Sequence, residues 1–402
     1  MSNTQKKNVP ELRFPGFEGE YSLDIFGNLA TNKSDKFNPQ NENASIDIEL
    51  DCIEQNTGRL IKIYNSKEFS SQKNKFNPQN VLYGKLRPYL NKYYFTKKSG
   101  VCSSEIWVLK STKEDKLLNL FLYYFIQTKR YSDVASKSAG SKMPRADWGL
   151  IENIRVYFPE LCEQQKIGEF FSKLDRQIEL EEQKLELLQQ QKKCYMQKIF
   201  SQELRFKDDN GNDYPEWEEK NLGELSQIVR GASPRPIKDP KWFNKESDIG
   251  WLRISDVTDQ NGKIYHLEQK LSIEGQEKTR VLLTTHLLLS IAASIGKPVM
   301  NFVKTGVHDG FLIFLNPKFN IFFMYYWLDY FKEKWSKYGQ PGSQVNLNSE
   351  IVKSQTLNMP SNHEQEKVGL FFSRNEKLIE LQQEKIMYLK RRKQALILKM
   401  FI

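Results

Sequence analysis

The sequence predicts an α+β chain: two mixed α/β globules separated and joined by two long antiparallel coiled-coil helices, organised as a pseudo-two-fold internal repeat. Three observations lead there. The stretch "EQQKIGEFFSKLDRQIEL", beginning at Glu163, returns as "EQEKVGLFFSRNEKLIEL" from Glu364. Apolar residues in both copies recur on a heptad seam, the pattern of paired helices. Between the copies lie short apolar runs bounded by Gly, Pro or Asn, the signature of strands. At roughly 100–200 residues per domain, 402 residues hold two or three folded units. The expected division is 1–160 and 201–360 for the globules, with 161–200 and 361–402 for the helices.

The repeat extends beyond one motif. At a shift of 201, residues 159–200 and 360–401 agree at 16 of 42 positions. Each copy opens with "ELRF", at Glu11 and Glu203. "LNLFLYYFIQTKRY" from Leu118 resembles "NIFFMYYWLDYFKEKW" from Asn320, and "GVCSSEIWVL" follows the pattern of "GVHDGFLIFL". Self-similarity at this scale is the first thing a sequence has to say about its architecture.

In the first globule, "SEIWVLK" reads as a strand and "LFLYYFI" as a core helix, apolar all round. The first long helix carries Ile167, Phe171, Leu174, Ile178, Leu185, Leu188, Tyr195 and Ile199 at a/d spacing. In the second globule, "LLLSIAA" and "GFLIFLN" read as strands and "FFMYYWL" as the matching core helix. The second long helix repeats the seam with Val368, Phe372, Ile379, Ile386, Leu389, Leu396 and Met400. Each helix is predicted to run about 38 residues, or about 57 Å. A seam that long needs a partner helix, and the other copy is the economical one. Polar residues interrupt it at Glu181 and Gln382 and at Lys192 and Lys393. Such interruptions cost stability and often fix register or partner.

Hydrophobic residues make up 39% and aromatics 12%, which excludes a disordered chain. A net charge of +10 permits a polyanionic partner. The cysteines Cys52, Cys102, Cys162 and Cys194 form no CxxC pair, so reduced thiols in a reducing compartment are expected. "MSNTQKKNVPELRF" lacks the apolar core of a signal peptide, and the most apolar run, "IFFMYYWLDYF", is far below the ~20 residues that span a bilayer. A cytoplasmic protein without a membrane partner is the expectation. There is no GxxxxGK[ST] phosphate loop, GxGxxG fingerprint, [ND]PP[YF] motif or HExxH. "DYPEWEEK" holds Asp213, Glu218 and Lys220 but reads as an accidental grouping near a turn. The chain is expected to read rather than to catalyse, with no metal site and no cofactor of its own.

The loops carry the contact chemistry. "GKLRPYLNK" offers Lys85, Arg87, Tyr89 and Lys92, and "AGSKMPRADW" offers Ser141, Lys142 and Arg145. The second globule offers Arg230, Ser233 and Arg235 in "VRGASPRP", Arg253 in "WLRISDV", Ser294 and Lys297 in "SIAASIGK", and Gln340, Ser343 and Gln344 in "YGQPGSQVN". Gly and Pro shape these turns. Arg, Gln and Ser bond base edges, and Lys and Arg bond phosphates. Ordinary polar loops would have the same composition; what favours DNA contact is its recurrence in both copies.

The "PELRFPGF" opening, the "EQQKIGEFFSKLDRQIELEEQKLELLQQQKK" helix with its second copy, "GKLRPYLNKYYF", and "SAGSKMPRADW" leading to "IRVYFP" resemble the specificity subunits of type I restriction-modification systems. The resemblance covers nearly the whole chain. It implies that each globule is a target-recognition domain and that the pair reads a bipartite, asymmetric site in double-stranded DNA. It also implies that the helices space the two and dock two modification subunits. Those subunits would bring S-adenosylmethionine and methylate adenine, and restriction subunits would add translocation and cleavage driven by ATP with Mg. One helical turn is about 5.4 Å, so helix length is a plausible spacer code. Phe171, Glu181, Lys192, Phe372, Gln382 and Lys393 are the candidates for partner contact, the polar four reading equally as register pins. The alternative is a coiled-coil scaffold whose globules bind proteins.

Overall fold

Two uninterrupted helices, Leu161–Phe200 and Asn362–Met400, form where the repeated heptads predicted them. Neither contains Pro, and each has a single glycine, at Gly168 and Gly369. The computed structural model describes residues 8–38, 46–65, 71–137, 143–292, 295–338 and 347–402. The chain divides into two compact units, Met1–Gln183 with Glu384–Ile402, and Lys184–Gln383. Each long helix therefore serves both units, and inside each unit a stretch of one helix packs antiparallel to a stretch of the other. In unit 1, Asp175 meets Lys393 and Phe171 meets Phe401. In unit 2, Lys192 meets Glu376 and Tyr195 meets Phe371.

The first unit holds two four-stranded sheets. One runs Ala30–Thr31, Ile106–Ser111, Val81–Gly84, Tyr93–Phe95, antiparallel throughout. The other runs Lys36–Phe37, Lys73–Phe76, Gly100–Cys102, Asp47–Ile48, with the last pair parallel. A ribbon of Ser22–Ile25 on Arg155–Phe158 closes the unit where the chain enters the first long helix. The second unit repeats the plan. Gln227–Arg230, Phe311–Leu315, Leu287–Ser290, Pro298–Asn301 and Lys263–Ile264 form a five-stranded sheet, and Gly250–Leu252, Thr305–Val307 and Arg280–Leu282 a three-stranded one. Its closing ribbon pairs Glu218–Asn221 with Thr356–Met359. The strands expected from "SEIWVLK", "LLLSIAA" and "GFLIFLN" are all present.

Both aromatic helices, Asn119–Phe125 and Ile321–Phe331, are core: Phe121, Tyr124, Phe323 and Tyr326 are essentially inaccessible. Each lies across a long helix at its glycine. A Cβ on Gly168 would come 2.7 Å from Leu120, and one on Gly369 would come 3.0 Å from Phe322. Glycine lets the two elements approach so closely.

The conserved-looking letters of the repeat turn out to be anchors. Glu163 is 1% exposed and accepts from Arg13 Nε (2.8 Å), Arg13 Nη2 (2.7 Å) and Tyr21 Oη (3.2 Å). Glu364 accepts from Arg205 Nη2 (2.8 Å), Arg205 Nε (3.3 Å) and Trp217 Nε1 (3.0 Å). These are the arginines of the two "ELRF" openings, and the neighbouring Phe14 and Phe206 pack edge-on against Phe170 and Phe371. Gln164 accepts from the Leu118 amide and donates to the carbonyls of Lys116 and Pro159. Gln365 likewise accepts from the Asn320 amide and donates to the Pro360 carbonyl. A buried charge needs a bidentate partner of this kind, and a buried amide needs every bond it can make.

Phe171 and Phe372 are fully enclosed in their own units. The expectation that they contact a partner subunit is corrected: a wholly buried ring presents no surface to another chain.

Candidate nucleic-acid interface

The polar seam residues are engaged inside the chain. Asp175 accepts from Lys393 (2.6 Å) and Tyr124 Oη (3.0 Å), and Lys393 also reaches Gln127 (2.9 Å). At a shift of 201, Glu376 accepts from Lys192 (2.8 Å) and Tyr326 Oη (2.7 Å), and from Lys263 on a strand of its globule. Burial raises the Glu376 pKa, but Lys192 and Lys263 outweigh it and leave the carboxyl below its ordinary value. Glu181 is half-buried and pairs with Lys385, and Gln382 is 6% exposed. Asp175 and Glu376, the acceptors of this twin arrangement, were missed in the sequence. Their signal was there: an acid repeated at the same offset from a repeated seam lysine.

In unit 1 the loop after Val81–Gly84 sits against two others. The Lys85 amide donates to Glu105 O, the Arg87 amide to Pro144 O, and the Ala146 amide to Lys85 O. Arg87 and Asn91 adopt left-handed backbone, at φ 52° and 45°, on either side of a short turn, Pro88–Leu90. That turn lifts Tyr89 to 57% exposure while Pro88 stays buried. Non-glycine residues in this conformation cluster at functional loops. Lys85, Arg87, Tyr89 and Arg145 thus share one rim. Arg145 is already forked onto Glu105 through Nε (3.0 Å) and Nη2 (3.3 Å). Lys92 turns inward to the Leu50 carbonyl at 2.6 Å.

In unit 2 the ends of several strands converge. Val307 pairs with Leu252 on one side and Arg280 on the other, so Arg253, Arg280 and the turn 308–310 lie at one sheet edge. Arg230, Ser233 and Arg235 come to the same turn. Asp309 accepts from Ser233 Oγ (2.8 Å) and Arg235 Nη2 (2.7 Å), and its carbonyl accepts from Arg230 Nε (2.6 Å). Gly231 is forced by this approach, since a Cβ there would lie 2.1 Å from His308 O. Burial lowers the His308 pKa. Arg253 is half-buried and spent on Asp256, through Nε (3.1 Å) and Nη2 (2.8 Å). Lys297 is half-buried and donates to the Val257 carbonyl at 3.2 Å, and burial lowers its pKa. Arg253, Lys92 and Lys297 are thus occupied by the fold, whereas the sequence had offered them as contacts. Ser141, Lys142, Ser294, Gln340, Ser343 and Gln344 lie outside the described residues.

Asp213 and Glu218 sit in exposed pairs with Lys207 and Lys220. Among the described residues, no group of three or more His, Cys, Asp or Glu is placed to hold a metal ion. No helix among them is long and apolar enough to cross a membrane.

The duplicated rim-bearing globules coincide with a duplicated family match. The type I restriction modification DNA specificity domain matches residues 20–190 and again 214–391. The chain belongs to that family. Two specificity domains therefore stand in tandem here, each ending within a long helix. The MjaVIII specificity subunit of Methanocaldococcus jannaschii is 25% identical over 310 residues, covering 72% of this chain and 71% of the relative. The EcoDI specificity subunit of Escherichia coli is 25% identical over 169 residues, covering 40% and 37%. Among solved structures, a chain of a type I R-M system superposes with a TM-score of 0.61 at 17% identity, covering 94% of this chain and 96% of that one. The type I S subunit from M. genitalium gives 0.56 at 14% identity, covering 98% and 99%. At such identities the likeness is one of fold, and the specificity-domain fold is what both share with this chain.

Proposed function

We propose that the two specificity domains read the two halves of a bipartite, asymmetric site in double-stranded DNA, and that the chain itself does no chemistry. The observation that carries this reading is the pair of exposed basic rims, one per domain, built by different side chains on equivalent sheet ends. Domains with the same frame and different rims read different sequences, so the combined site is asymmetric. The long helices are the frame between the domains, and their length is the spacer code. Exposed helix surface docks two modification subunits, which carry S-adenosylmethionine and methylate adenine after extruding it from the duplex. Restriction subunits with ATP and Mg act on the same assembly in the cytoplasm.

A mobility-shift experiment with and without modification subunits tests this. Weak or nonspecific binding by the chain alone, and specific binding by the assembly, is expected. Exchanging residues 201–360 for the matching region of a relative should then change one half of the methylated motif, read by long-read sequencing. An unchanged motif would sink the assignment and return the scaffold reading.

A further inference from the structure

We propose that Arg230, Arg235 and Arg280 form one base-reading element of the second domain, held ready by Asp309 and two backbone carbonyls, and that its half-site contains a G·C pair read at guanine. This rests on the DNA-reading assignment above and adds residues and a base to it. Arg280 and Asp309 were not among the residues the sequence singled out.

The geometry is specific. Arg230 gives its Nε to the Asp309 carbonyl at 2.6 Å. Arg280 gives its Nε to the Arg230 carbonyl at 2.7 Å. An arginine tied at Nε to the main chain has its fork aimed and keeps both Nη groups for a ligand. Arg235 spends Nη2 on Asp309 Oδ2 at 2.7 Å, and its side chain is 70% exposed. Arg230 and Arg280 are exposed as well. Asp309 is fixed in turn, since Ser233 Oγ donates to Oδ1 and accepts from the Asp309 amide at 3.2 Å. The main chain below is locked too. The Gly231 amide donates to Phe311 O, the Ala232 amide to Val307 O, and Thr279 Oγ1 to Ala232 O.

Three exposed guanidiniums thus stand on one rigid rim, Arg235 tied to the Asp309 carboxylate and Arg230 and Arg280 to backbone carbonyls. A fork with both Nη groups outward matches the O6 and N7 acceptors of guanine in the major groove. Holding it in place before contact lowers the ordering cost of a long side chain. Among the described residues, unit 1 lacks the equivalent. There the corresponding hairpin, between Gly100–Cys102 and Ile106–Ser111, supplies Glu105, which takes both Nε and Nη2 of Arg145.

The test uses the full chain assembled with its modification subunits, with the methylated motif read by long-read sequencing. Arg230→Lys, Arg235→Lys and Arg280→Lys keep the charge but lose the fork. At least one should relax selectivity at a G·C pair of the second half-site by about 10-fold, leaving the first half-site unchanged. Asp309→Asn keeps an acceptor for Ser233 but loses the charge that aims Arg235. As Asp309 is a positioning residue, its variant should relax the same position with thermal unfolding close to wild type. Three variants guard against one that fails to fold. If all three lysine variants keep the wild-type motif, the cluster only touches phosphate and the proposal is wrong. Relaxation confined to an A·T pair or to the first half-site overturns it equally. A wild-type assembly that methylates no bipartite motif would instead refute the DNA-reading assignment.

Discussion

Replacing Glu376 by Gln should unlock unit 2. The carboxylate is 11% exposed and faces two ammonium groups, Lys192 and Lys263, with the Tyr326 hydroxyl as a third donor. Glutamine keeps an oxygen for Tyr326 but removes the carboxylate that both half-buried lysines contact, leaving Lys192 only the Coulomb attraction of Asp329. Breaking a buried ion pair from one side costs about 3–5 kcal/mol. A unit of this size loses about 2–4 °C of Tm per kcal/mol, so the transition should fall by roughly 6–20 °C. Tryptophan fluorescence is a suitable probe, because Trp217, Trp242, Trp251, Trp327 and Trp335 lie in unit 2 and only Trp107 and Trp148 in unit 1. The pH dependence supplies a second reading. The Glu376 pKa is depressed on folding, so its contribution is complete above the ordinary glutamate value of about 4.3 and is lost as pH falls through the lower folded value. Glu376→Gln should remove that part of the acid loss. A shift within about 1 kcal/mol of wild type at neutral pH would refute the idea that the two lysines depend on this carboxylate.

Three further perturbations follow from the same geometry. Glu163→Ala strands Arg13 and the Tyr21 hydroxyl at the helix entry and should cost unit 1 about 3 kcal/mol by urea denaturation, with Arg13→Ala costing at least as much because it leaves the buried carboxylate only the Tyr21 hydroxyl. Gly369→Val drives side-chain atoms into Phe322 and should cost about 1–3 kcal/mol despite the gain in backbone stiffness, whereas Gly211→Ala, in an open turn, should cost only its positive-φ strain. His308 is held below its ordinary pKa by burial, against the pull of Asp309 and beside Arg230 and Arg235. The unfolded chain therefore takes up the proton first, and stability should decline as pH falls below about 6.5. His308→Gln, which keeps an acceptor for the Gly310 amide, should flatten that decline in a pH series of thermal melts.

What could be read in advance differs by element, for physical reasons. The long helices were legible because a seam of 40 residues repeats one constraint at every turn, and Ile167, Phe171, Val368 and Phe372 are buried as the spacing required. Core strands such as Phe311–Leu315 were legible as apolar runs between turn residues. The two-residue strands Ala30–Thr31 and Lys36–Phe37 carry no period to detect. The rims were legible only as composition. Arg230, Ser233 and Arg235 were visible in one glycine- and proline-rich loop, but Arg280 and Asp309 join them through strand pairing from 50 and 79 residues away. Arg253 looked equivalent to Arg230 and is consumed by Asp256, three residues on, a pairing that helical spacing permits and composition does not reveal.

The polar breaks in the seam raise a question of cost. A wholly apolar seam would be more stable, since replacing a buried ion pair by hydrophobic residues is often neutral or stabilising by about 1–4 kcal/mol. The chain instead keeps the same pairing twice, with the helices exchanging roles: 175 of the first with 393 of the second, and 376 of the second with 192 of the first. An unbroken heptad seam fits itself nearly as well after sliding by seven residues. A lone charged pair does not, because sliding buries both charges unpaired. Asp175→Leu with Lys393→Leu should therefore hold or raise the thermal stability of unit 1 while loosening its register. Cysteines at 182 and 390, which now form a 2.7 Å ion pair, would report this once Cys162 and Cys194 are replaced. Crosslinking confined to that pair is expected in the parent, and added yield at 182 with positions one heptad from 390 in the double variant. Crosslinking that stays wholly at the parent register would show that the Asp175–Lys393 pair does not set it, the apolar seam with the remaining pairs of Glu181 and Lys192 being sufficient.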